Sequence, residues 1–297
     1  MTSVQATAPV PASSSAAETA ARYGMARAGA RPPLLTYIRD LWGRRYFVVA
    51  FARAYNAIGY SSSFLGQFWQ LLTPLLNAAV YYLIFGLILK TSRGIPNYIS
   101  FLVVGIFVFY YMQSSILAGS RAVTANLGLT RSLHFPRATL PVATTVIALQ
   151  QLLTSLVVLI PIILLNGERP SLRWLLVVPA VALESFFALG CALIFARVGA
   201  RIPDTSQILP FMLRTWLYIS GIFYSITIFS EHIHSELVRR LLEINPGAVY
   251  VELVRDALLK HRDTFRVQWQ LGVVWAVVMF IVGFIFFWRA EEEYGRG

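Results

Sequence analysis

FLVVGIFVFYYMQSSILAGSRAVTANLGLTRSLHFPRATLPVATTVIALQQLLTSLVVLI, residues 101–160, decides the class of fold. Two apolar and aromatic runs, each matching the ~20 helical residues that cross a hydrocarbon core of roughly 30 Å, enclose a link with Arg121, Arg131 and Arg137 and no acid. Backbone polar groups in lipid must be satisfied within the segment, so both runs read as membrane-spanning helices.

The same pattern extends outward to six spans, at about 67–89, 98–118, 141–165, 174–196, 207–229 and 269–288. The 297 residues are 57% hydrophobic and 13% charged, with a mean hydropathy of +0.63, too apolar for a soluble domain of this size. The expected fold is an all-α integral membrane protein. It has six transmembrane helices, an N-terminal interfacial amphipathic helix and two short outer amphipathic helices between spans five and six. Residues 1–30, rich in Ala, Ser, Pro and Thr, read as a disordered cytoplasmic tail. Residues 31–66 form the interfacial segment and 67–290 the six-helix domain. The tail lacks the plan of a cleaved signal peptide, so insertion is expected to rely on the internal spans.

Net charge is +11, but the basic residues flank apolar runs instead of forming a polar, aromatic-studded face, which argues for membrane orientation and against nucleic acid. Seven arginines precede the first span and three lie in the 119–140 link, while the alternate loops hold Lys90, Arg93, Glu168, Arg169 and Arg173. Both termini and the link are therefore expected in the cytoplasm of a bacterial plasma membrane. Cys191 is the sole cysteine, which excludes an intrachain disulfide; within an apolar run it reads as a small core residue.

Two regions are amphipathic without spanning. Residues 34–57 mix Leu34, Leu35, Ile38, Leu41 and Trp42 with Arg39, Asp40, Arg44 and Arg45, as suits a helix in the inner headgroup layer, broken near Gly43. The 230–268 connection carries SELVRRLLE and then NPGAVYVELVRDALL, where Asn245 is a cap and Tyr250, Leu253, Val254, Ala257 and Leu258 share a face.

Polar groups recur inside the spans at helical spacing. Gln70, Thr73, Asn77 and Tyr81 share one face of the first span. Gln207, Arg214, Tyr218, Gly221 and Ser225 share one face of the fifth, flanked by Trp216 and Tyr224. Phe109, Tyr110, Tyr111, Gln113 and Ser114 lie in the second. Such stripes suit a path for a sugar chain, whose ring faces meet aromatics and whose hydroxyls need partners; they equally suit helix-to-helix contacts or interfacial belts. Glu184 and Arg214 are candidates for a buried ion pair, joined by Gln150 or Gln151, with a proton relay as the alternative. No P-loop, carboxylate pair or nucleophile–base signature is present, so no catalytic residue and no cofactor is assigned to this chain. Glu231, His232 and His234 read as solvated surface groups more readily than as metal ligands, and no metal site is assigned.

Four stretches together resemble the membrane subunit of ABC-2 type polysaccharide exporters, the O-antigen and teichoic-acid permeases, over residues 34–290. They are YSSSFLGQFWQLLTPLL (60–76), NLGLTRSLHFPRATLP (126–141), RIPDTSQILPFMLRTWLYISGIFYS (201–225) and NPGAVYVELVRDALL (245–259). Gly59 and Ser61 depart from the pattern, where basic residues usually surround this Tyr. High Arg and Ala content is most similar to the actinobacterial branch, which exports the lipid-linked galactan of the cell wall.

The resemblance implies a homodimer carrying two ABC ATPase subunits, which bind the ATP and Mg, and a polyprenyl-diphosphate-linked glycan as substrate. It implies a channel involving Gln70, Asn77, Tyr81, Tyr110, Arg214, Trp216, Tyr218 and Tyr224. Arg39, Arg44, Arg45 and Arg53 would meet the lipid headgroup; Arg131, His134, Phe135, Pro136 and Arg137 would couple to the ATPase. Asn245, Pro246, Tyr250 and Arg255 would belong to an outer gate. The rivals are a permease for drugs or small lipids, a membrane glycosyltransferase and a scaffold.

Overall fold

The computed structural model describes residues 32–59, 65–89, 94–132, 135–226, 235–259, 265–292 and 294. The expected tail at 1–30 lies outside them. The described residues form helices and turns, with eleven α-helices: α1 (Leu34–Gly43), α2 (Arg45–Gly59), α3 (Trp69–Tyr81), α4 (Tyr98–Arg121), α5 (Leu127–Ser132), α6 (Thr139–Leu165), α7 (Val177–Arg201), α8 (Thr205–Ile219), α9 (Glu236–Ile244), α10 (Pro246–Leu258) and α11 (Phe265–Arg289). A π-helical stretch, Tyr82–Ile88, continues α3.

Among the described residues five helical segments are long and apolar enough to cross a membrane: Leu71–Ile88, Tyr98–Arg121, Thr139–Leu165, Leu172–Arg201 and Val267–Arg289. The expected fifth span, 207–229, is not one of them. Helix α8 has 15 residues, about 22 Å of rise, and stops at Ile219 because Gly221 takes a left-handed φ of 65°. Ser220, Gly221, Ile222 and Phe223 form an irregular turn that is buried in protein, the condition under which non-helical backbone is tolerated at membrane depth.

Helix α4 is apolar all round and buried for most of its length at the centre, between α6, α7 and α10. Helices α7 and α11 cross so closely that a Cβ on Gly283 would lie 2.2 Å from the Gly190 carbonyl oxygen, the small-residue contact by which helices associate in lipid. Cys191, beside this crossing, is buried in the core as read from sequence.

The amphipathic segment does break next to Gly43, at Arg44, into α1 and α2. It does not lie flat throughout. Phe47 meets Phe135 at 6.2 Å, and Asn56 exchanges hydrogen bonds with Gln150 (2.8 Å) and Gln151 (3.2 Å). Residue numbers rise together in these contacts, so α2 climbs parallel to the first turns of α6. Paired amides satisfy one another away from water, which is the reason Gln150 and Gln151 are tied to α2 and not to Glu184.

The two helices of the 230–268 connection differ. Helix α9 is amphipathic and exposed, with Leu237 and Leu241 uncovered and Leu242 turned inward. Helix α10, read as a surface element, is buried from Gly247 to Leu258 on every face, including Glu252, Arg255 and Asp256. Its polar side is covered by α4 and by the turn after α8, whose carbonyls need donors.

Candidate functional site

Tyr81 of one predicted stripe and Tyr218 of the other converge at one face. Tyr81 of α3 packs its ring 4.8 Å from Phe223, and Tyr218 of α8 lies 5.4 Å from the same ring. Arg214 lies one turn before Tyr218 on the same helix. Asn77, Arg214 and Tyr218 are exposed along this face, and Tyr81 is half-buried. The side chain of Gln70 lies outside the description. Tyr110 is set apart, on a cavity of about 60 Å³ between α3, α4 and α6 that Trp69, Thr73, Tyr111, Gln151 and Ser155 also line. That volume holds a few waters.

Trp216 and Tyr224 have structural partners. Trp216 donates from Nε1 to Asn245 Oδ1 at 2.7 Å and sets its ring edge against Phe109 at 5.6 Å. The Tyr224 hydroxyl reaches the Ile219 carbonyl at 3.4 Å.

The broken end of α8 has its carbonyls capped. Asn245 donates from Nδ2 to Ile219 O at 3.4 Å while its Oδ1 caps α10 at Gly247 N–H, 3.1 Å away; Pro246 follows as the first helical residue. Arg255 donates to the carbonyls of Gly221 and Ile222, both at 2.9 Å, and Tyr98 to that of Phe223 at 3.0 Å. Tyr250 donates to the Gly272 carbonyl at 2.9 Å, fastening α10 to α11. Of the four residues expected in an outer gate, Asn245 is a cap, Pro246 begins α10, Tyr250 ties α10 to α11 and Arg255 holds the turn after α8.

The expected Glu184–Arg214 pair is not made. Glu184 is fully buried and neither carboxyl oxygen has a hydrogen-bond partner among the described residues, whereas Arg214 faces outward. Helix α8 turns Leu209, Leu213 and Leu217 inward, which leaves Arg214 on its exposed side.

At the opposite end, α5 ends before Pro136, whose carbonyl accepts from Thr139 N (3.0 Å) and Oγ1 (2.6 Å), and Pro141 sits in the first turn of α6 where its missing N–H costs nothing. Phe135 is half-buried on Phe47. Arg137 turns inward: its backbone N–H donates to Glu291 Oε1 at 2.8 Å and its guanidinium to the Glu291 carbonyl. Tyr37 donates to Glu291 Oε2 at 2.8 Å and accepts from Ala138 N–H at 3.0 Å. Burial, then the nearby Glu291 charge, holds the Tyr37 hydroxyl well above the ordinary phenol range. Burial also raises Glu291, against the pull of the Arg137 N–H, the Tyr37 hydroxyl and the Arg137 charge. His134 and the Arg131 side chain lie outside the described residues. Sequence reasoning missed Tyr37 and Glu291; the available signal was an acid directly after the last span, where basic residues are the rule.

Arg39, Arg44, Arg45 and Arg53 are exposed on α1 and α2. Arg45 stacks over Tyr46 at 4.3 Å and over Trp42 at 5.7 Å, a planar cation held in place on aromatic faces. Glu231, His232 and His234 lie outside the described residues, among which no cluster of three or more His, Cys, Asp or Glu side chains is placed to hold a metal.

Residues 47–259 match the model of the ABC-2 type transporter family. The chain is 27% identical to the O-antigen export system permease protein RfbA of Klebsiella pneumoniae, across 77% of this chain and 83% of that one. It is 24% identical to the protein of the same name from Myxococcus xanthus, across 87% and 98%. It is 26% identical to the polysialic acid transport protein KpsM of Escherichia coli, across 77% and 87%.

Proposed function

The chain belongs to the ABC-2 type transporter family, and from that premise we propose that it is the membrane subunit of an ATP-driven exporter of a polyprenyl-diphosphate-linked polysaccharide, cell-wall galactan by preference. The observation that carries the reading is the pair of Tyr81 and Tyr218 rings packed on Phe223, with Asn77 and Arg214 exposed one turn before them on α3 and α8. Hydroxyls, an amide and one cation beside aromatic faces match a hydrated sugar chain better than an apolar drug. A second copy of the chain closes this face into a channel.

Energy enters from two ABC ATPase subunits at the 119–140 link, since no nucleotide-binding motif lies in this sequence. Termini and link are cytoplasmic in this scheme, and the exposed arginines of α1 and α2 receive the diphosphate, for which planar guanidinium groups are suited. The choice of galactan rests on the Arg- and Ala-rich composition; the relatives are named for O-antigen and for polysialic acid, so another glycan is the second reading.

The test is reconstitution of the permease with an ABC ATPase partner, followed by ATP-dependent transfer of lipid-linked galactan, O-antigen or a fluorescent short-chain lipid across the bilayer. Galactan transfer supports the full reading. O-antigen transfer alone supports the second, and transfer of the fluorescent lipid alone overturns both.

A further inference from the structure

Arg255 is fully buried, and its guanidinium donates hydrogen bonds to three separate parts of the fold. Nε donates to Phe101 O at 3.1 Å, Nη1 to Gly221 O at 2.9 Å and to Glu252 Oε1 at 2.8 Å, and Nη2 to Ile222 O at 2.9 Å. Its central carbon stands 3.4 Å over the Phe101 ring. The space is provided by Gly105, one helical turn from Phe101 on α4: a Cβ there would lie 2.4 Å from Nη2. The charge is balanced by Glu252 on the previous turn of α10.

We propose that Arg255 is a positioning residue for transport: it pins the break after α8 to α4 and makes α10 a fixed post, leaving α9 as the movable one of the two helices. The forked planar donor set explains the choice of Arg. One guanidinium satisfies two consecutive carbonyls of an irregular turn and a third on α4, which a lysine ammonium on a flexible stem does not hold in one geometry. With the turn fixed, Phe223 keeps its contacts with Tyr81 and Tyr218, so the aromatic face is set by a residue that does not line it. Helix α9, by contrast, is exposed along most of its length and turns Leu242 alone inward.

The transport part of this inference rests on the export reading; the part concerning the fold does not. The experiment is hydrogen exchange on the full chain with its ATPase in nanodiscs, for wild type, Arg255→Lys and Gly105→Ala. The second variant keeps the charge and crowds the guanidinium, and covers the case in which the first fails to fold. Amides of 217–226 are expected to exchange about tenfold or more faster in both variants, with α4, α7 and α11 as protected as in wild type. Adding ATP and Mg to wild type is expected to change exchange in α9 and not in α10. Unchanged exchange at 217–226, protection lost across the whole bundle, or an ATP response in α10 overturns the inference. Export by the same variants is expected to be lost with basal ATP hydrolysis retained. Full export beside fast exchange at 217–226 overturns the positioning role, whereas a wild type that exports no glycan overturns the export reading and leaves the exchange result standing.

Discussion

The hydroxyl of Tyr37 donates to Glu291 at 2.8 Å across 254 residues of sequence, joining the first helix to the end of the last. The same oxygen accepts from Ala138 N–H at the start of α6, so one atom connects α1, the 119–140 link and α11. Tyr37→Phe keeps the ring in its buried place and removes that atom, leaving an amide and a carboxylate oxygen short of a partner. A loss of about 1–3 kcal/mol is expected, read as earlier thermal unfolding of the detergent-solubilised protein.

The link and α1 are therefore tied to one another through Tyr37. If the link is the contact for the ATPase, Phe135→Ala is the cleaner probe, since it loosens one ring contact with Phe47. Export is expected to fall while ATP hydrolysis continues. Arg137→Glu also sets a second acid against Glu291, so its expected effect includes loss of folded protein, measured by the yield of monodisperse permease. Equal export by Phe135→Ala and wild type would reduce the link to a membrane anchor.

A pH dependence follows from Glu291. Burial raises its folded pKa above the ordinary 4.5, so its stabilising contribution is complete below that value and is lost as pH rises through the folded one. Thermal stability is expected to decline over that interval in wild type, and to be flatter in Glu291→Gln, which cannot ionise. Parallel declines in both proteins would place the titrating group elsewhere.

The five long spans were legible because each is a continuous apolar run whose mean hydropathy does not depend on its neighbours. The break in 207–229 was not, because averaging over the segment hides a single left-handed Gly221. The residue that compensates for it, Arg255, read as the polar side of a surface helix; periodicity marks which face is apolar but not whether the other face is buried too. The stripe residues Tyr81 and Tyr218 were found by spacing, and both pack on Phe223. Trp216 and Tyr224, which flank that stripe, bond Asn245 and Ile219 instead, a distinction set by tertiary partners.

That distinction is testable within one helix. Tyr218 is exposed and Trp216 is bonded to the cap of α10, so the two substitutions should fail differently. Tyr218→Ala is expected to lower glycan export with unfolding temperature unchanged. Trp216→Phe, which keeps the aromatic surface and deletes one donor, is expected to cost about 0.5–1.5 kcal/mol of stability and to leave export per folded molecule near wild type. The reverse pattern would move the transport path to the Trp216 side of α8.

The α7–α11 crossing sets the sharpest limit on substitution. Gly190 and Gly283 meet backbone to backbone, and Met279 O also lies 2.3 Å from where a Cβ on Gly190 would stand. Backbone cannot rotate away as a side chain can, so even Gly283→Ala must part the two helices. A cost of about 1–3 kcal/mol is expected from overpacking alone. Because α11 carries Glu291 at its end, parting the helices also draws the carboxylate from Tyr37 and Arg137. Gly283→Ala combined with Tyr37→Phe should then destabilise less than the sum of the two single changes, a non-additivity measurable by a double-mutant cycle on thermal unfolding. Strict additivity would mean that the crossing and the Tyr37–Glu291 contact are independent, and that displacement of α11 is absorbed before it reaches the link.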